Sequence, residues 1–543
     1  MINKNNKPKD YNRMFRTVIM EYAKKAPTLS SPEDRYAALV ECIDDVFVTE
    51  NMYRMPGDRY KIPSPPTPAY IAAMLRISEN ISNISFTDTI EEEDTALGIY
   101  VESGEKKGLY SISKPYIKQV ISRYIPFAKD KDIDEVYNTL VTTCETRTLN
   151  KEVNLIPVAN GLFDYESKVL IPFTPEKVFT AKSSTRFIPS AQNPIIQQPD
   201  GTTWDIHSWL NELFDGDMEI VNLIFQCLGA AMRPHQVWRK ALFMYSRGGA
   251  SGKGCILSLV QALCGVESCA SIPMNEMDDR FGLSPILDKS PTVIIGDEND
   301  CGTYINSAGK FKSLCTSERL SIERKFKGKV SVKPTLFIMQ AFNDRPRFKD
   351  KTDALARRII FLEFPHCYQA EGTEKPNIKN DYLCRSEVLE YLMKYILMDM
   401  PNYYDIVIPK ACEYSLEEFK RNNNFVLEFA QEIIPEITWD IMPISTGLYP
   451  LYKAYCKTFN PNGKIEKLST FIDEICEIVN HYFPNEWKYY EGAHPTNNKL
   501  SVPEPLFDEF YLAQPYNATC VRKSLVRITS STPTASSNDD SAD

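Results

Sequence analysis

The chain has 543 residues, of which 43% are hydrophobic and 25% charged, enough for three or four domains and ordinary for a globular protein. Its net charge of −10 means that the surface as a whole does not attract nucleic acid, so any such partner must be met by positive charge concentrated locally. No run approaches the roughly 18 apolar residues that cross a bilayer, and the polar start Met1-Ile2-Asn3-Lys4 lacks the apolar segment of a secretory signal. Fourteen cysteines without a CxxC pair read as buried thiols in a reducing, cytoplasmic compartment, not as a zinc or disulfide framework.

Residues 1–150 are expected to form an N-terminal α+β region. Helical periodicity with polar breaks runs to about residue 60, and Ile62-Pro63-Ser64-Pro65-Pro66-Thr67-Pro68 reads as a linker or turn, since so many prolines prevent a regular element. Residues 69–150 mix helix and strand around an acidic loop, Glu91-Glu92-Glu93-Asp94, read as a solvated face, with metal binding the lesser alternative. From 151 to 237 a helical domain is expected to precede the central block. It opens on a strand and tight turn at Asn154–Asp164 and contains two helical patterns within 203–233, with Ile220, Leu223, Ile224, Cys227 and Leu228 at helical spacing.

The central block, 238–370, carries four elements in order. Ala241-Leu242-Phe243-Met244-Tyr245 suits a buried strand; Ser246-Arg247-Gly248-Gly249-Ala250-Ser251-Gly252-Lys253-Gly254 is a glycine loop; and Cys255, Ile256, Leu257, Leu259 and Val260 continue into a helix. Strand, glycine loop and helix are the context a P-loop requires. Glycines let backbone amides and the helix N-terminus approach phosphate oxygens, and Lys253 adds a point charge at the β- and γ-phosphates. Gly248, Gly249, Ser251, Gly252, Lys253, Gly254 and Cys255 are therefore the expected nucleotide-binding residues. The usual pattern has glycine where this chain has Arg247, and a metal-binding hydroxyl where it has Gly254.

Asp297-Glu298 follow the apolar run Thr292–Gly296, 44 residues after Lys253. We assign Asp297 to Mg2+ and Glu298 to the general base that polarises the attacking water. Asn343 ends the next apolar run, where a neutral amide can bind the γ-phosphate or the water. Arg358, 15 residues on, offers a fixed fork of donors to the charge developing on the transferred phosphoryl group, in its own chain or a neighbour's ATP. Arg357 is the alternative for this role, and a structural ion-pair role for both stays open. Between the acidic and Asn elements, Lys310 to Lys333 holds eight basic residues against two acids, a local +6. Ser321–Val332 alternates and breaks at Gly328, as a β-hairpin does. Lys325, Lys327 and Lys329 would meet backbone phosphates and Phe326 would stack on a base or sugar; the alternative is a solvated hairpin whose lysines block edge pairing.

A helical connector is expected over 371–424, then a compact domain over 425–515. Leu448, Leu451, Tyr452, Tyr455 and Phe459 share one helical face, Phe471, Ile475 and Val479 a second, and Tyr482, Phe483, Trp487, Tyr489 and Tyr490 follow in a strand-like stretch. Two helices and a wing give a winged-helix-like domain, open to duplex DNA or to a protein. The end, 516–543, is expected to be a disordered tail.

The ordered set resembles superfamily 3 helicases of the AAA+ class, of the phage, plasmid and large DNA virus primase–helicase C-terminal type. Asp279-Arg280-Phe281 with Leu287, Asn343–Asp350, Ala159–Asp164, and Leu448-Tyr449 with Leu451–Tyr455 also match that family's text. The resemblance implies an α/β protein with an AAA+ P-loop NTPase core between a mixed α/β N-terminal region and the winged-helix-like domain. It implies an ATP- and Mg2+-dependent hexameric ring that unwinds DNA for replication of a phage, virus or mobile genetic element, with single-stranded DNA in its channel. Partners implied are DNA, further copies of the chain, a primase or other replication proteins, and no membrane. Residues 1–206 contain no histidine, so a primase domain of the archaeo-eukaryotic type, which needs one, is not expected here. Two rivals remain: a DNA-binding replication initiator whose ATP site controls assembly, and a protein-remodelling AAA+ ATPase.

Overall fold

The structure, a computed structural model, describes residues 9–86, 95–125, 128–152, 154–233, 238–246, 248–289, 291–299, 308–323, 329–346, 348, 353–400, 406–459, 465–495, 503–514 and 520–528. The chain divides into two compact units, Met1–Glu413 and Tyr414–Asp543.

The first unit opens with α1 (Tyr11–Lys25), α2 (Pro32–Met52) and α3 (Pro68–Ser78). Their starts are set locally: Asp10 accepts from the Arg13 amide at 2.9 Å and Ser31 from the Asp34 amide at 3.0 Å, satisfying amides that lack an intrahelical partner. The proline-rich stretch 62–68 is irregular up to Pro68, which begins α3. Strands β1 (Ile81–Ser85), β2 (Thr95–Tyr100) and β3 (Tyr110–Ser111) follow, then α4 (Lys114–Tyr124), α5 (Asp130–Thr143) and β4 (Thr146–Thr148). They form a sheet of order β3-β2-β1-β4, and the helices bury Val18, Tyr22, Leu39, Phe47, Leu75 and Ile117 in a core of their own. The acidic run Glu91–Asp94 lies outside the described residues.

A hairpin of β5 (Leu155–Val158) and β6 (Gly161–Asp164), extended by β7 (Val169–Ile171), realises the expected strand and tight turn. Short strands β8 (Ile196–Gln197) and β9 (Thr203–Trp204) lead to α6 (Ile206–Leu213) and α7 (Met218–Met232), the two helical segments read from 203–233. Every residue of α7 from Leu223 to Met232 is buried, as an all-round apolar helix must be.

The central block comprises β10 (Ala241–Tyr245), α8 (Lys253–Cys264), β11 (Cys269–Ser271), α9 (Ser284–Lys289), β12 (Val293–Asn299), α10 (Gly309–Cys315), β13 (Leu320–Glu323), β14 (Lys329–Val332), β15 (Phe337–Phe342), α11 (Asp353–Ala356) and β16 (Ile359–Glu363). Five strands pair in parallel in the order β11-β12-β15-β10-β16. A parallel sheet is covered on both faces, so its strands are continuous apolar runs; β10 and β15 are buried at every position. Strand β15 stands between the loop-bearing β10 and the acidic β12, which brings the ends of all three to one edge. The chain continues through α12 (Tyr368–Glu371), α13 (Pro376–Asn380) and α14 (Ser386–Lys394), and the division between the units falls within α15 (Lys410–Asn423).

The second unit contains α16 (Phe425–Ile433), β17 (Ile441–Pro443), α17 (Tyr449–Phe459), α18 (Leu468–Tyr482), β18 (Trp487–Pro495), α19 (Pro505–Glu509) and β19 (Cys520–Arg527). Leu448, Leu451, Tyr452 and Tyr455 pack with Phe471, Ile475 and Val479 in one core. The expectation of a disordered tail over 516–543 is corrected at 520–527. There β19 is the central strand of an antiparallel sheet, β17-β19-β18, and Ser524 and Leu525 are fully buried. Arg522, Lys523 and Arg527 disguise this strand in sequence, whereas pairing on both edges and the burial of Leu525 hold it in the fold.

Candidate functional site

The glycine loop leaves β10 at Tyr245 and enters α8 at Lys253. Its path demands unusual backbone: Ala250 has φ +52° and Gly252 φ +95°. Gly252 is constrained twice, because a Cβ there would also stand 2.7 Å from Leu213 Cδ1 of α6; a side chain is excluded by both φ and space. Ser246 is buried and its hydroxyl donates to the Gly248 carbonyl at 2.6 Å. Lys253 is only 7% exposed, and its ammonium donates to the hydroxyls of Ser246 and, at 2.9 Å, Ser251. A lysine so buried is held among oxygen acceptors and faces the opening where phosphate oxygens would supply more. Arg247 lies outside the described residues.

The loop is gripped from a second segment, which the sequence reading missed. The Cys367 thiol donates to the Gly249 carbonyl at 3.1 Å, and the Tyr368 amide donates to the Ala250 carbonyl at 3.1 Å. A Cβ on Gly248 would lie 2.9 Å from Cys367 Sγ, so this glycine provides the close approach.

One cavity of about 360 Å3 gathers Ser251, Gly252, Lys253, Gly254 and Cys255 from the loop, Asp297 from β12 and Asn343 from the end of β15. Asp297 and Asn343 are exposed. Glu298 follows Asp297 in the same strand; its side chain lies outside what is described. Behind Asp297, β12 bulges between Gly296 and Asn299, shifting which residues face the cavity edge. The bulge closes on a buried amide pair. Asn299 Nδ2 donates to Gln340 Oε1 and to the Ala341 carbonyl, both at 3.0 Å, while Gln340 Nε2 donates to the Ile272 carbonyl at 3.2 Å. The Met274 amide donates to Asn299 Oδ1 at 2.7 Å.

The far wall comes from α6 and from 368–380: Trp209, Leu213, Tyr368, Lys375 and Lys379. Burial, with Glu212, Glu371 and Asp215 nearby, pushes the Tyr368 hydroxyl up to about 12. Burial also raises the Cys255 thiol, against the opposing charge of Lys379. No motif spacing announces the 368–380 part of this wall: its residues belong to a polar stretch that becomes a surface only when packed over α8.

Arg357 and Arg358 stand elsewhere. The Ala241 amide donates to the Arg358 carbonyl at 2.7 Å, and Ala241 pairs with Ile359 at the start of both strands. The arginines therefore lie at the opposite edge of the sheet from the loop, roughly 16 Å away along a five-residue strand. Arg357 is exposed; Arg358 is half-buried, and its guanidinium donates to the Ala354 carbonyl.

The lysine-rich hairpin is present as β13 and β14, antiparallel with Glu323 opposite Lys329. Lys325, Phe326 and Lys327 lie outside the described residues. Lys329 Nζ pairs with Glu323 Oε1 at 2.8 Å, and Arg280 pairs with the other oxygen; Lys329, then Arg280, holds the Glu323 carboxyl below its usual range.

A protein site for Mg2+ ordinarily supplies one or two carboxylates, with phosphate oxygens and retained waters completing it. Asp297 supplies such a donor, Gly254 supplies none, and Ser251 Oγ is engaged by Lys253. The residues fit Mg2+ held by Asp297, nucleotide phosphates and water.

Comparison with known proteins gives two family matches. Residues 78–215 match the D5 N terminal like family, and residues 244–358 match a family of unknown function, DUF5906. Among solved structures, an apo structure of the NrS-1 C terminal region (305–718) is 12% identical, with a TM-score of 0.43, over 77% of this chain and 90% of that one. An A form apo structure of the same region is 12% identical with a TM-score of 0.41, a likeness too loose to assign a fold. Among the described residues no helix is long and apolar enough to cross a membrane.

Proposed function

We propose that the chain is an ATP-driven, ring-forming DNA helicase serving replication of a phage, virus or mobile element. The observation that carries this reading is the convergence of Lys253, Asp297 and Asn343 on one cavity, from the loop after β10 and from the parallel strands β12 and β15 of the same sheet. Lys253 and the amides at the start of α8 bind the β- and γ-phosphates. Asn343 orients the γ-phosphate or the attacking water, and Glu298 takes the proton from that water as it attacks. Mg2+, when bound with the nucleotide through Asp297, neutralises charge on the phosphate oxygens.

The position of the arginine pair supports a ring. Arg357 and Arg358 cannot reach the phosphates of their own chain across the sheet, so either one stabilises phosphoryl transfer only at a neighbour's site. A heterologous, head-to-tail contact that closes provides this arrangement. The basic β13–β14 hairpin supports DNA as substrate, and the match of 78–215 to the D5 N terminal like family is compatible with a replication role. The second unit, where α16, α17 and α18 pack with an antiparallel sheet, supports the winged-helix-like reading and a duplex contact.

The test is a forked duplex incubated with the full chain and ATP. Strand separation is expected, and Lys253→Ala should lower it and ATP turnover by about 100-fold or more, on the scale of losing one preorganised phosphate contact. ATP-dependent assembly on DNA without strand separation would favour an initiator, and no response to DNA at all would reject the helicase reading.

A further inference from the structure

The loop's departure at Gly254 has a structural counterpart in α13. A Cβ placed on Gly254 would lie 3.3 Å from Lys379 Nζ, so this ammonium occupies the space beside the second residue of α8, where a P-loop normally carries its metal-binding hydroxyl. Lys379 lines the same cavity as Lys253, Asp297 and Asn343. Among the described residues its Nζ has no hydrogen-bonding or ion-pairing partner; neighbouring Lys375, by contrast, stands 3.9 Å from Asp200. The charge of Lys379 is felt locally, since it opposes the upward shift of the Cys255 thiol.

We infer that Lys379 is a second phosphate-binding lysine, placed where the hydroxyl is missing, and that it makes nucleotide binding less dependent on a divalent cation. This rests on the nucleotide reading of the site. An ammonium at the start of α8 adds to the positive end of the helix and to Lys253, and all three favour the same phosphate oxygens. It also explains the glycine. A serine or threonine at 254 would crowd the lysine, and its hydroxyl would accept a hydrogen bond from Nζ instead of serving a metal. Residue 254 and residue 379 are thus one coupled feature: the chain has exchanged a metal ligand for a cation at the cavity edge.

The experiment is equilibrium binding of a fluorescent N-methylanthraniloyl ATP to the full chain, in EDTA and in excess Mg2+. The unaltered chain should retain binding in EDTA. Lys379→Ala should weaken metal-free binding about tenfold or more, equivalent to roughly 1.4 kcal/mol, and weaken binding in Mg2+ distinctly less. Lys379→Arg, which keeps the charge, should restore metal-free binding and guards against a folding defect. Gly254→Thr combined with Lys379→Ala should convert the site to one that binds only with Mg2+. Metal-free affinity within twofold of the unaltered chain in Lys379→Ala, or an equal loss in both buffers, overturns the inference. A chain that binds no nucleotide in either buffer overturns the nucleotide reading itself, and Lys253→Ala distinguishes that case by having nothing to lose.

Discussion

Gly296 and Gln340 should behave as one unit under mutation. A Cβ on Gly296 would stand 1.9 Å from Gln340 Oε1 and 2.6 Å from its Cδ, so the amide must move, in a side chain that is fully buried. Gly296 is not among the residues at positive φ, so alanine is tolerated by the backbone and the penalty is steric. Gly296→Ala expels the amide, and overpacking costs about 1–3 kcal/mol. It also breaks the bonds from Gln340 Nε2 to the Ile272 carbonyl and from Asn299 Nδ2 to Gln340 Oε1, where a buried group left unpaired costs about 1–3 kcal/mol. A total of about 2–6 kcal/mol follows. Gln340→Ala loses the same two bonds and leaves a small cavity, although Asn299 Nδ2 keeps the Ala341 carbonyl at 3.0 Å, so its cost is similar. In the double variant the new methyl has nothing to strike, and the pair should cost about as much as Gln340→Ala alone, a coupling of roughly 2–6 kcal/mol, where distant sites add to within about 0.5. Because the chain has two compact units, a single global unfolding curve is not a clean readout. Hydrogen exchange of peptides covering 293–299 and 337–342 against urea reports this sheet directly. Additive costs would refute the argument that Gly296 exists to admit Gln340.

The arginine pair and one acidic residue give further tests. Arg357, exposed at the sheet edge opposite the loop, should be dispensable for nucleotide binding yet required for turnover. Mixing equal amounts of Arg357→Ala and Lys253→Ala chains, each inactive alone, should regenerate roughly a quarter of the sites in a head-to-tail ring; no recovery of ATP hydrolysis would assign the transfer role elsewhere. Arg358→Ala should instead lower stability, since its guanidinium is tied to the Ala354 carbonyl. In the second unit, burial and then the like charge of Glu432 raise the Glu428 carboxyl, with Arg421 opposing. A carboxyl that binds its proton more tightly when folded weakens the fold above its folded pKa, and the penalty disappears as pH falls to the unfolded value near 4.5. Glu428→Gln should therefore stabilise this unit at pH 7, with a gain that shrinks on acidification; a gain independent of pH would reject electrostatics as its cause.

What was legible in the sequence, and what was not, divides by the range of the interactions. Lys253, Asp297 and Asn343 could be placed because each follows or ends a buried strand, Lys253 across the glycine loop after β10, and a buried parallel strand announces itself as an unbroken apolar run. Strand order adds what spacing cannot: β15 lies between β10 and β12, so Asn343 is brought between the loop and the acidic pair. The opposite wall gave no such signal. Tyr368, Lys375 and Lys379 lie in polar segments whose only common property is that they pack over α8, and Cys367 acts through contacts with Gly248 and Gly249 more than one hundred residues away in sequence. The same blindness affected β19, whose charges hide one buried leucine, and Gln340, which reads as a polar flaw in an apolar strand until Gly296 opposite is seen to lack the Cβ that would exclude it. Gly254 is the instructive case. Read by itself, it is a defect in a phosphate loop; beside Lys379 it is the space that a second cation requires. A departure from a local pattern is therefore better treated as a statement about a distant partner than as a weakening of the motif.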